Sequence, residues 1–383
     1  MIPSEFQKEH LFLLVGKNPL PNAVAIDALR PENGTVYFVC TAKTLPIAEK
    51  LIRFSGLNEG RNAQLVPIND ESGIQIADEV KRYATGKSSL GLNYTGGTKH
   101  MVLHAFQGIQ QAAEAYHNQP VLSYLDARTL KMRVERLGSP SNSYTVTTVS
   151  GLNFSSLLEM HGYRMTECAR TPIASDVYPV FAELNPKKLS RWYQKARNGK
   201  DKEAQRDIPL PDIPALTPHW GGATTVGEFA STLGVPMSEM GKWFAGQWLE
   251  DYTLASIQNI SSDCGIDDSA MNLKASASAD EFEFDVAALK GYQLYGFSCN
   301  AQADKKTIKQ KLFEAYIRAH QMGGDEARVA VVCFAPKNGP SSPQSIEWEV
   351  RREWDEEGKV RVFGEEHLPA LPQYLEQWMC QFS

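Results

Sequence analysis

The amino-acid sequence reads as an α/β protein with two sheets, the first mostly parallel and the second built on a hairpin. Three observations carry this. Between residues 11 and 125, short apolar runs alternate with stretches of helical periodicity, the pattern of a parallel sheet covered on both faces. Between residues 241 and 334 the order is instead helix, two adjoining strands, helix, strand. The two regions are separated by weakly patterned chain that includes Pro209, Pro211, Pro214 and Pro218, a stiff extended linker. With 383 residues, 42% hydrophobic and 22% charged, the chain has the composition of a globular protein of two or three domains, with boundaries expected at 1–150, 151–235 and 236–383.

Leu11-Phe12-Leu13-Leu14-Val15-Gly16 has no polar member before its glycine, so it reads as a strand buried on both faces. A helix follows over 21–30. Thr35-Val36-Tyr37-Phe38-Val39-Cys40 repeats the strand pattern, and Ile47, Leu51 and Phe54 space a helix closed by Gly56. Gln64-Leu65-Val66-Pro67-Ile68 is a third strand, and Ile76, Val80 and Tyr83 mark a helix over 72–85. Leu90-Gly91-Leu92-Asn93-Tyr94 is the fourth. A long helix over 98–117 then carries Met101, Ala105, Ile109, Ala112 and Tyr116 on one face, before the strand Val121-Leu122-Ser123-Tyr124-Leu125. Residues 128–137 and 144–149 read as an antiparallel hairpin.

In sheets of this kind ligands bind beyond the carboxyl ends of the strands. The loop Asn93-Tyr94-Thr95-Gly96-Gly97-Thr98-Lys99-His100 lies there. Gly96 and Gly97 permit a tight turn with exposed amides. Thr98 can cap the next helix, whose first amides attract an anion, and Lys99 adds a positive charge. Thr95, Gly96, Gly97, Thr98 and Lys99 are thus a candidate phosphate cradle; a plain strand-to-helix turn is the alternative. The spacing matches neither a Walker A loop nor a dinucleotide GxGxxG fingerprint, which argues against a small-molecule nucleotide enzyme.

In the middle region, residues 154–161 suggest a short helix ending at Gly162, and residues 224–235 a helical piece of winged-helix kind. Lys187, Lys188, Arg191, Lys195, Arg197, Lys200, Lys202 and Arg206 surround Trp192 and Tyr193. Either this is a nucleic-acid contact, where bases stack and phosphates pair, or a solvated face.

In the last region, 241–257 reads as one helix containing Trp248-Leu249-Glu250. Glu281-Phe282-Glu283-Phe284-Asp285-Val286 is an alternating strand with phenylalanines on one side and acids on the other. After a turn at Lys290-Gly291 comes the strand 292–300, then a helix over 304–322 apolar at Ile308, Leu312, Tyr316 and Ala319, stopped by Gly323-Gly324. Arg328 opens the next strand. No apolar run reaches membrane-spanning length, and the first residues carry no signal-peptide pattern. The six cysteines are scattered, several in apolar runs and none in a CxxC pair. They are expected as reduced thiols in a cytoplasmic protein. A net charge of −6 excludes a constitutive non-specific nucleic-acid coat.

Taken in order, Leu92-Asn93-Tyr94-Thr95-Gly96-Gly97-Thr98-Lys99, Trp248-Leu249-Glu250, Glu283-Phe284-Asp285-Val286 and Met322-Gly323-Gly324 resemble the CARF–nuclease family. Its members join a CRISPR-associated Rossmann-fold sensor to a PD-(D/E)XK nuclease of restriction-endonuclease fold. The resemblance covers nearly the whole chain. It implies a homodimer that binds a cyclic oligoadenylate, the tetra-adenylate, and then cuts DNA or RNA with magnesium or manganese. A symmetric ring suits a two-fold axis, with the Gly96–Lys99 loop of each copy facing its phosphates. Asp285 would hold the metal, with Glu250 and the Cys299 carbonyl. The family pattern also places a Glu-x-Lys on the second strand, where this chain has Ser298-Cys299-Asn300. The missing carboxylate and cation leave two readings. In one, Glu283 replaces the carboxylate and Lys305, Lys306 or Lys309 the cation. In the other, the site is catalytically dead and the domain only binds nucleic acid or a protein.

Overall fold

The computed structural model describes residues 2–380 apart from 116–118, 127–128, 175–176, 184–185, 202, 278–279, 302 and 355–357. Tyr116, Arg128 and Lys202, and the side chains of Lys187 and Lys188, therefore lie outside the described residues.

The first sheet contains β1 (His10–Leu14), β2 (Thr35–Cys40), β3 (Ala63–Pro67), β4 (Leu90–Asn93), β5 (Val121–Asp126), β6 (Lys131–Arg136) and β7 (Asn142–Thr145), in the order β3-β2-β1-β4-β5-β6-β7. The pairs among β1 to β5 are parallel; β6 and β7 add antiparallel at one edge. Its helices are α1 (Leu20–Leu29), α2 (Leu45–Phe54), α3 (Gly73–Ala84) and α4 (Lys99–Glu114). Both faces are covered, as the unbroken apolar runs require. On β1, Phe12 and Leu14 enter one core with Ile76, Val80 and Ile109 of α3 and α4. Leu11 and Leu13 enter the other with Val24 of α1 and Leu51 of α2. This is a Rossmann-like domain.

Next come α5 (Phe154–His161), β8 (Arg164–Ala169), α6 (Tyr178–Glu183), α7 (Pro186–Arg197) and α8 (Val226–Thr232). They are followed by α9 (Met237–Lys242), α10 (Trp248–Asn259) and α11 (Ser261–Cys264). The second sheet adds β9 (Asp268–Ala277), β10 (Asp280–Lys290), β11 (Gln293–Asn300), β12 (Arg328–Cys333) and β13 (Val360–Phe363), ordered β13-β12-β11-β10-β9-β8. Here β11, β12 and β13 are parallel and the rest antiparallel. Three helices complete the chain, α12 (Lys305–Gly323), α13 (Pro343–Trp354) and α14 (Leu371–Met379). No helix among the described residues is long and apolar enough to cross a membrane.

Two expectations change, and one open alternative is decided. The single helix expected over 241–257 is broken: Trp243–Gln247 forms a π-type turn with Gly246 at φ 145°, a conformation that only glycine adopts without strain. Glu250 therefore sits in the first turn of α10. The basic segment around α7 is not a stacking platform. Tyr193 is buried against Phe244 and Trp192 packs on the same ring, 5.4 Å between centroids, while Arg191, Lys195 and Arg197 form a solvated face. Cys264 and Cys380 are bonded as a disulfide, Cα atoms 5.0 Å apart, against the expectation of six reduced thiols. The fold brings the ends of α11 and α14 together across 116 residues of sequence, which no local pattern reveals.

Candidate functional site

The strand order of the first sheet reverses between β1 and β4, with β2 beyond one and β5 beyond the other. Chains leaving those two carboxyl ends diverge, and a crevice opens between them. A cleft of about 320 Å³ lies there, lined by Gly16, Lys17 and Asn18 after β1 and by Thr95, Gly96 and Gly97 after β4. The glycines are dictated by space. A Cβ on Gly96 would strike the Leu14 carbonyl oxygen, and Gly97 has φ +77°. Thr98 Oγ1 accepts the Met101 amide at 3.2 Å and caps α4. Thr95 has a role the sequence did not disclose: its Oγ1 accepts the Leu125 amide at 2.7 Å, pinning the loop to β5. Its own amide donates to Asn93 Oδ1 at 3.2 Å, and the buried Asn93 donates through Nδ2 to Ser123 Oγ at 3.1 Å. Thr98 and Lys99 are exposed and do not line the cleft. Lys17 and Asn18 were missed, although Gly16 at the end of the first apolar run was a signal for a turn there.

The second cluster joins α10, β10 and β11. Asp285 Oδ2 accepts the Ser298 hydroxyl at 2.9 Å and the Cys299 amide at 2.7 Å, two bonds that orient the carboxylate. The alternation of β10 slips at this point. Phe282 and Phe284 enter the core shared with the first sheet, but Val286 and Ala288 enter the opposite one. Asn272, on the neighbouring strand, has φ 50°. Irregularities of this kind commonly re-aim side chains at functional sites. Burial, and then the charges of Asp285, Glu283 and Asp251, push the Glu250 carboxyl up to about 8. The Gln247 side chain works in the opposite direction, but Glu250 Oε2 is buried with no hydrogen-bond partner among the described residues. Asp251 turns away, accepting the Trp243 indole N–H at 2.8 Å and the Ile173 amide at 3.2 Å.

The other predicted residues have partners of their own. Glu283 is half-exposed, 3.6 Å from Lys274, and burial raises its carboxyl above the ordinary range. Lys309 donates to Glu349 Oε2 at 3.3 Å, and Lys305 bonds the other oxygen of that carboxylate. Both lysines are thus engaged by α13. Asn300 ends β11, and burial foremost raises the Cys299 thiol well above its usual value.

An orphaned carboxylate oxygen beside a second, oriented carboxylate suits a hard divalent cation. No three His, Cys, Asp or Glu side chains converge as a metal cluster among the described residues. Magnesium needs no such cluster, since it binds through one or two carboxylates and keeps several waters. The residues present therefore fit magnesium or manganese at Asp285 and Glu250.

The whole fold has solved counterparts. Protein VC1899 from Vibrio cholerae matches with a TM-score of 0.71 at 16% identity, over 97% of this chain and 98% of that one. Can2 from Sulfobacillus thermosulfidooxidans, solved in complex with cyclic tetra-adenylate, matches with a TM-score of 0.71 at 15% identity, over 98% of each chain. A type III CRISPR defence DNA nuclease activated by cyclic oligoadenylate matches with a TM-score of 0.52 at 17% identity. That match covers 97% of this chain and about half, 51%, of the nuclease. No protein-family model matches the sequence, and neither does any curated protein. At these identities the likeness is one of fold.

Proposed function

We propose that this protein senses a cyclic oligoadenylate, the tetra-adenylate, and is a metal-dependent nuclease of PD-(D/E)XK kind acting on DNA or RNA in CRISPR-type antiviral defence. The observation that carries the nuclease half is Asp285, oriented by Ser298 and Cys299, within electrostatic reach of Glu250, whose carboxyl is pushed up to about 8 with one oxygen unpartnered. The sensor half rests on the cleft at the strand-order switch and on the likeness to Can2, a protein solved with that ligand. A ring of repeated nucleotides suits a homodimer, each copy offering the same loop.

When bound, magnesium or manganese would activate water and neutralise charge on the scissile phosphate. Asp285 and Glu250 would hold it. The Ser298 hydroxyl and Cys299 amide keep Asp285 in one orientation, and Glu250 would have to be ionised to serve as a ligand. Of the three candidate lysines, Lys305 and Lys309 would have to leave Glu349 to orient the attacking water, whereas Lys306 is exposed in the first turn of α12.

That last requirement favours a second reading, a ligand-regulated module that binds nucleic acid or a protein without cutting. Ser298 stands where the family pattern has a carboxylate, and both lysines are already engaged. One assay separates the two. The protein is incubated with plasmid and single-stranded RNA in manganese, with and without cyclic tetra-adenylate, beside Asp285→Ala. Ligand-dependent cutting, lost in the variant, is expected. No cutting, with ligand binding intact by calorimetry, would leave the binding module.

A further inference from the structure

The sensor cleft is not made by the first domain alone. His320, Gly324, Asp325 and Glu326, from the end of α12 and the turn after it, line the same cavity as Lys17 and Gly96. The approach is close. Gly324 has φ +66°, and a Cβ there would collide with Asn18 Nδ2. Met322-Gly323-Gly324, read from sequence as a helix stop, is thus also the point at which α12 touches the β1–α1 loop. The two sides of the cleft differ in electrical character. The first domain offers the glycine-loop amides and Lys17. The far side offers the negative end of a helix dipole together with Asp325 and Glu326. Asp325 Oδ1 lies 3.1 Å from His320 Nε2, and both side chains are well exposed at 71% and 43%. Glu326, only 3% exposed, is kept nearer its neutral form by burial and by Asp325, pushed up to about 7.

We propose that His320 and Asp325 are ligand-facing residues of the sensor cleft, His320 attracting the anionic ring in its protonated form and Asp325 opposing it. The inference rests on the cyclic-oligoadenylate reading above and specifies how that ligand reaches the other domain. α12 begins at Lys305, five residues beyond Asn300, and its 19 residues span roughly 28 Å to the cleft. An anion bound at the glycine loop is repelled by the Asp325 carboxylate and the negative end of the helix dipole at the end of this rod. Displacing α12 relieves the repulsion. The ligand therefore distinguishes two positions of the helix, which is the condition for shifting a conformational equilibrium.

Calorimetric titration with cyclic tetra-adenylate at low salt and at about pH 6, where histidine side chains carry charge, tests this. Asp325→Asn is expected to tighten binding about three- to fivefold and His320→Ala to weaken it by a similar factor. Both differences should shrink at ~1 M salt, as screened charge effects do. Damage to the fold would weaken both variants, so the opposite signs are the signature. Equal affinities in a protein that binds the ligand, or weakening in both variants, would overturn the role of α12 and leave the sensor reading standing. Failure of the wild-type protein to bind would overturn that reading, and this inference with it.

Discussion

At Glu250 two effects push in one direction. Burial disfavours the charged form, and Asp285, Glu283 and Asp251 add negative potential. The carboxyl therefore titrates near 8 in the folded protein against an ordinary 4.5. Between those values the native state holds a proton that the unfolded chain has released, so this group lowers stability as pH rises through the window. Glu250→Gln should remove that loss. In metal-free buffer its Tm should exceed the wild type at pH 8 and approach it near pH 5. An unchanged pH dependence would show that Glu250 is not buried beside like charges. Wild-type affinity for magnesium should rise over the same window, because the metal and the proton compete for one carboxylate. Ser298 belongs to the same cluster, since its hydroxyl donates to Asp285 at the position where the family pattern has a second carboxylate.

Among the elements, α11 and α14 are tied by Cys264 and Cys380, while Cys40, Cys168, Cys299 and Cys333 form no disulfide. Denatured without reductant, the protein is expected to show four reactive thiols, and with reductant six. A count of six in both would mean that the bond does not form in solution. Where it forms, the closed loop is long, and reduction should lower stability by about 2–4 kcal/mol in denaturant titration. Strands β8 and β9 show the limit of local reading. β9 runs Asp268-Ser269-Ala270-Met271-Asn272-Leu273-Lys274-Ala275-Ser276-Ala277, with few β-branched or aromatic residues, and is held between β8 and β10 by its ladders on both sides. Strand preference of this kind belongs to the neighbours more than to the segment. The break at Gly246 is similar: the helical pattern on either side is continuous, and only the conformation of one glycine divides it.

At the level of the whole molecule, the two sheets share one apolar core. Leu13 and Phe38 of the first sheet, Leu157 of α5, and Phe284 and Leu312 of the second domain belong to the same cluster. Unfolding is therefore expected to be a single cooperative transition. Phe284→Ala should destabilise by about 3–5 kcal/mol and shift far-ultraviolet dichroism and tryptophan fluorescence together. All seven tryptophans follow residue 190, so fluorescence reports the second domain alone. Separate midpoints for the two probes would refute a shared core. The cleft at the strand-order switch lies at this junction, and packing that unfolds as one unit is suited to carry a displacement from one sheet to the other.

The Rossmann-like domain was legible in the chain because its strands are buried on both faces and its helices on one, so each element writes its own periodicity. The turn after β4 was legible too, since Gly96 and Gly97 answer local backbone demands. The acids of the second cluster were found one by one. Their association was decided by tertiary structure: which carboxyl loses water, which lysine is taken by Glu349, and which cysteine meets another. So was the far side of the cleft, where Gly324 comes against Asn18. Burial and charge at a site depend on segments hundreds of residues apart, and sequence spacing carries no record of that distance.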